Sequence, residues 1–190
     1  MLKIAVTDIK KGQPGLTPLA ASQLYEAFEV CMHNCEHPEI VSLLMLGDRN
    51  NDNRSDNNRC DDIILLWRDE YTEQMGRTYA DMQYAVEHGA ICLSIMLTTT
   101  LTPYKVVERS RKGTGIDYWL GDEETFLFQK KARLEVSGIL EGDETAVKHR
   151  HAVKVEQTRR SDYIQLPAYI SIVEFSTPKA WFAQRIVKWK

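Results

Sequence analysis

The chain has 190 residues, 43% of them hydrophobic and 27% charged, with a formal net charge of −3. It is long enough to bury a sizeable core, and its charge excludes a protein that is basic throughout, so any contact with nucleic acid has to come from a local patch. No run approaches the roughly 20 apolar residues of a membrane span. The N-terminus lacks the apolar core and small-residue cleavage site of a signal peptide, and Cys31, Cys35, Cys60 and Cys92 are too scattered for a disulfide framework. These features predict a cytoplasmic protein with no membrane association.

LKIAVTDI (2–9) alternates as a short strand, and the turn GQPGLTP leads to Thr17, which can cap a helix over LAASQLYEAFEVCMHNC (19–35) with Leu19, Leu24, Phe28 and Cys31 as its apolar stripe. EIVSLLML (39–46) can continue as a second helix. Residues 47–62 are rich in Asn and Asp with almost no apolar side chain, the composition of an exposed, disordered loop. IILLWRDE (63–70) suits a strand or a short helix. Residues 73–100 have the pattern of one buried helix, denser in apolar residues toward the end, with Tyr84, Ile91 and Ile95 on its apolar side.

Three strands follow: PYKVVERS (103–110), GIDYWLGD (115–122) after the turn RKGTG, and TFLFQKKARLEVSGIL (125–140) after the turn GDEE. Short connections predict an antiparallel meander. Residues 143–162 read as a charged helix with Asp143 or Thr145 at its cap, and LPAYISIVEFSTP (166–178) as a buried strand. AWFAQRIVKWK (180–190) suits a closing helix or an edge strand. The fold class is therefore α/β (α+β): a mixed sheet with a three-stranded meander flanked by helices. The chain divides into an N-terminal strand and helical segment, 1–74, and a core, 75–190.

Both carboxylates of interest lie on the meander. A period of two puts Asp117 and Trp119 on one face of the second strand, and Lys131, Arg133, Glu135 and Ser137 on one face of the third. As hairpin neighbours, Asp117 and Glu135 converge. Mg²⁺ is a hard octahedral cation that takes one or two carboxylates plus waters and phosphate oxygens. The plainer alternatives are that Asp117 caps the turn after Gly113-Thr114-Gly115 and that Glu135 pairs with Arg133 or a cross-strand cation. CMHNCEH (31–37) makes no zinc site in a helix, because Cys31 and Cys35 share one face while His33 and His37 share another. Nucleophile-elbow, phosphate-loop and dinucleotide motifs are missing from the sequence.

The order helix, three-stranded meander, helix, strand over about residues 75–178, with Asp117 on the second strand and Glu135-Val136-Ser137 on the third, resembles the PD-(D/E)XK nuclease superfamily, the restriction-endonuclease-like fold. That resemblance implies phosphodiester hydrolysis with Mg²⁺ (or Mn²⁺) held by Asp117 and Glu135. It also implies an acidic residue on the preceding helix, where Glu87 is the candidate. The superfamily typically has lysine two residues after this glutamate, and Ser137 stands there instead. Lys131 shares the face of Glu135 but lies about 13 Å away along a strand. Lys154, on the following helix, is the better replacement. Arg150, Lys154 and Gln157 fall on one face of that helix with His151 beside them, a surface suited to a phosphate backbone. The expectation is a metal-dependent nuclease or an inactive derivative that binds nucleic acid, with homo-oligomers left open. The alternative is a non-catalytic protein-binding module or a subunit of a defence or toxin-related complex.

Overall fold

The computed structural model describes residues 1–47, 62–122 and 129–186. In chain order the strands are β1 (Lys3–Ala5), β2 (Ile40–Leu46), β3 (Ile63–Leu66), β4 (Lys105–Arg109), β5 (Tyr118–Gly121), β6 (Ala132–Ile139), β7 (Ala168–Glu174) and β8 (Lys179–Arg185). The helices are α1 (Pro18–Asn34), α2 (Glu73–Thr78), α3 (Met82–Leu101) and α4 (Glu144–Thr158), with 3-10 turns at Val6–Lys11 and Arg159–Ile164. All eight strands join one mixed sheet in the order β1-β3-β2-β8-β7-β6-β5-β4. It runs without interruption across the segments 1–74 and 75–190. β4, β5 and β6 form an antiparallel meander, β7 runs parallel to β6 after α4, and β8 is antiparallel to β7.

The strand period of two sorts side chains onto two layers. Leu134 and Val136 of β6 and Tyr169 and Val173 of β7 join the large core under α1 and α3. Ser94 of α3 donates to Ser171 of β7 at 2.7 Å on that same side. Ala168, Ile170 and Ile172 of β7 turn the other way, meeting Val147 of α4 and Trp181 of β8. Arg133, Glu135 and Ser137 therefore face α4. Among the described residues, no helix is long and apolar enough to cross a membrane.

Several local expectations are corrected. EIVSLLML is strand β2, not helix: Leu43 is buried while Ile40 and Leu44 on the opposite face are exposed, an alternation of two rather than 3.6. IILL is strand β3. The long helix of 73–100 is two helices, because Thr72 caps α2 by accepting from Met75 N (3.2 Å) and Asp81 caps α3 by accepting from Gln83 N (3.0 Å). Leu19 is exposed on α1, outside the stripe that buries Leu24, Phe28 and Cys31; Tyr84 on α3 is exposed as well. AWFAQR belongs to β8, which lies between β2 and β7 and is neither a helix nor an edge. The Thr17 and Asp143 caps are present, through Ala20 N at 3.3 Å and Ala146 N at 2.8 Å. The Asn/Asp-rich loop falls largely outside the described residues, as do Cys60, the start of the third meander strand and the last four residues.

Candidate functional site

The backbone positions Asp117 before any side chain acts. Asp117 N donates to Leu134 O at 2.9 Å and Ser110 N donates to Asp117 O at 2.7 Å, so the ladder of the meander reaches one residue ahead of β5. Tyr118 pairs with Leu134 and Trp119 with Arg133. Extending that register by one residue sets Asp117 opposite Glu135. The preceding loop is held by Gly115, whose φ is +77° and where a Cβ would stand 2.3 Å from the carbonyl oxygen of Gln157 at the end of α4. Only glycine combines that conformation with that approach.

Asp117 Oδ2 accepts a hydrogen bond from Val136 N at 2.8 Å. Glu135 is 1% exposed, and its Oε1 accepts from Lys154 Nζ at 2.6 Å and from Gln157 Nε2 at 2.8 Å. Its Oε2 is buried and receives no donor. Burial, and then the charge of Asp117, push the Glu135 carboxyl up to about 7, against the pull of the Lys154 ammonium. Burial also raises Asp117, although the Val136 N–H, Lys154 and Arg109 act in the opposite direction. The charge of Asp117 thus favours the protonated form of Glu135, since two buried like charges side by side cannot both ionise cheaply.

The other predicted residues separate into two groups. Arg150 Nη1 donates to Ser137 Oγ at 3.1 Å, so Arg150, Lys154 and Gln157 all reach β6 from one face of α4. His151 turns instead to β8, where its ring stacks on Trp181 with centroids 4.6 Å apart. Glu87 lies exposed on α3, on the opposite side of the sheet from Glu135, and accepts from Gln83 Nε2 at 3.3 Å. The plainer pairing of Glu135 with Arg133 does not form. Arg133 is wholly buried and reaches Asp162 at 3.2 Å, with Arg185 on the same carboxylate. Sequence reasoning missed Arg109, whose charge acts on Asp117; its signal was a position at the end of β4 opposite Tyr118.

These residues fit a hard divalent cation. The orphaned Glu135 Oε2 and the adjacent Asp117 carboxyl offer oxygen donors from two neighbouring strands, the number Mg²⁺ usually takes from a protein. Among the described residues no three His, Cys, Asp or Glu side chains converge, so the donors do not make a tetrahedral zinc set. No protein-family model matches the chain, and no curated protein is significantly similar to it in sequence.

Proposed function

We propose that the chain has a restriction-endonuclease-like core and hydrolyses nucleic-acid phosphodiesters with Mg²⁺ or Mn²⁺. The single observation that carries this reading is the opposition of Asp117, one residue ahead of β5, and Glu135 on β6, with the Lys154 ammonium delivered onto Glu135 from α4. The sequence of α3, the β4–β6 meander, α4 and the parallel strand β7 supports the same assignment. Cys31, Cys35 and Cys92 carry no disulfide, which suits a reducing cytoplasm.

Each residue has a distinct task. Val136 N–H fixes Asp117 and the Gln157 amide fixes Glu135, so both carboxylates are oriented before substrate arrives. A cation held there would polarise the phosphoryl group and lower the pKa of attacking water. Lys154 supplies the positive charge that Ser137 cannot, and neutralises charge developing on the phosphate. Arg150, resting on Ser137, is placed to take a non-bridging phosphate oxygen. For the pair to accept a cation, Glu135 must release its proton.

The test is cleavage of DNA and of RNA with Mg²⁺ or Mn²⁺ by the parent, Asp117→Ala and Glu135→Ala. Cleavage by the parent alone is expected; equal rates from all three remove the catalytic claim. The Lys154–Glu135 ion pair also favours a second reading, in which the same site is closed and the chain binds nucleic acid or a protein partner without cleaving. Absence of any thermal stabilisation by excess Mn²⁺ selects that reading.

A further inference from the structure

Two residues after Gln157, α4 passes into the 3-10 turn Arg159–Ile164. This turn is anchored from beneath: Arg133 Nη1 donates to Ser161 Oγ at 2.8 Å and to Thr158 O at 3.3 Å, and Arg185 Nη1 donates to Asp162 Oδ2 at 3.0 Å. With its base fixed to β6 and β8, the turn holds Tyr163 outward, 80% exposed. An aromatic ring so exposed on a rigid base is a stacking surface.

Among the described residues the charge around it is one-sided. Glu156 is paired with Arg159 at 2.8 Å, Glu108 with Lys130 at 2.9 Å, and Asp162 is held by Arg133 and Arg185. Arg109, Arg111, Lys112 and Arg160 are exposed. The loop bearing Arg111 and Lys112 is pressed onto this turn, because a Cβ at Gly115 would lie 3.4 Å from the Arg160 Cβ. On a chain of net charge −3, this is a local cationic rim that continues through Gln157 to Glu135.

We infer that this rim is a path for single-stranded nucleic acid, with a base stacked on Tyr163 and its phosphates on Arg160, Arg111 and Lys112. The inference rests on the nuclease reading and gives its substrate class. Stacking on an exposed ring needs an unpaired base, which a duplex does not present, and cations flanking the ring fit the backbone on either side of that base.

The test uses the full chain as Asp117→Asn, without divalent cation, and fluorescence anisotropy with oligo-dT, oligo-U and a DNA duplex of equal length. Either single strand should bind more tightly than the duplex, the stronger one identifying DNA or RNA. Tyr163→Ala should weaken that binding by about 5-fold to 150-fold, and Tyr163→Phe should leave it unchanged. Lys112→Ala and Arg160→Ala should each flatten the salt dependence by about 0.7 in log–log slope. Duplex binding equal to or tighter than single strands, or no effect of Tyr163→Ala, overturns the inference. Metal-dependent cleavage by the parent, with single-strand binding unchanged in Tyr163→Ala, defeats this path and leaves the nuclease reading standing; Tyr163-dependent binding without any cleavage does the reverse.

Discussion

Glu135→Gln isolates the cost of burying the carboxylate pair. The Glu135 carboxyl stands at about 7 in the fold, against an ordinary value of 4.5. Between those values the native state holds a proton that the unfolded chain has released. A raised folded pKa contributes stability that is present below the unfolded value and lost as pH rises through the folded one. At about 1.4 kcal/mol per unit, the interval corresponds to about 3 kcal/mol. The glutamine keeps an oxygen for Lys154 and Gln157 and removes the titration. Thermal melts of both proteins from pH 4.5 to 8, in chelator, should therefore diverge. The parent loses about 3 kcal/mol relative to Glu135→Gln across this range, roughly 6–12 °C for a domain of this size. Parallel pH profiles for the two would refute the reasoning, because they would mean Glu135 ionises as freely in the fold as in water.

Other perturbations reach the surrounding parts. Lys154→Met strands the buried Glu135 charge and should lower stability by about 3–5 kcal/mol at pH 8, less at pH 5.5 where Glu135 takes a proton; its kcat should fall about 100-fold or more with KM little changed, read by denaturant titration and steady-state kinetics. Gly115→Ala forces a Cβ against Gln157 O in a left-handed conformation and should cost at least about 1–3 kcal/mol, measured by urea unfolding. Asp162→Ala removes the carboxylate shared by Arg133 and Arg185 and should cost about 3–5 kcal/mol, where an unchanged unfolding midpoint would contradict the buried network. Excess Mg²⁺ should raise the melting temperature more at pH 8 than at pH 5.5, since the ligands must be deprotonated.

The juxtaposition of Asp117 with Glu135 was more legible in the sequence than the strand pairing around it. Strand alternation and short hairpins are local signals, so the convergence of Asp117 with Glu135 followed from a period of two. Helical spacing likewise placed Arg150, Lys154 and Gln157 on one face, and simple strand arithmetic disfavoured Lys131. Side-chain direction beyond the face was not legible: His151 found Trp181, and Arg133 found Asp162, partners brought by tertiary packing. EIVSLLML misled because a short apolar run looks the same in a helix and in a strand, and its pairing partners β3 and β8 lie far away in sequence. The break at Asp81 was hidden by apolar residues on both sides of the cap. A raised carboxyl is not by itself a mark of function, either. Burial also pushes Glu29 of α1 up to about 7, where it accepts from Glu70 N. Glu29 also feels Lys10 and the carboxylates of Glu70 and Asp69; what distinguishes Glu135 is the direct hydrogen bond from Lys154 at 2.6 Å and the orphaned Oε2 beside Asp117.

The central claim, that Asp117 and Glu135 together hold a divalent cation, is tested most directly by titrating Mn²⁺ into the parent, Asp117→Asn and Glu135→Gln at pH 8 and following free Mn²⁺ by electron paramagnetic resonance. One bound ion in the parent, lost or greatly weakened in both variants while their circular dichroism stays native, is the predicted result. No saturable binding in the parent, or equal binding in all three, would contradict it.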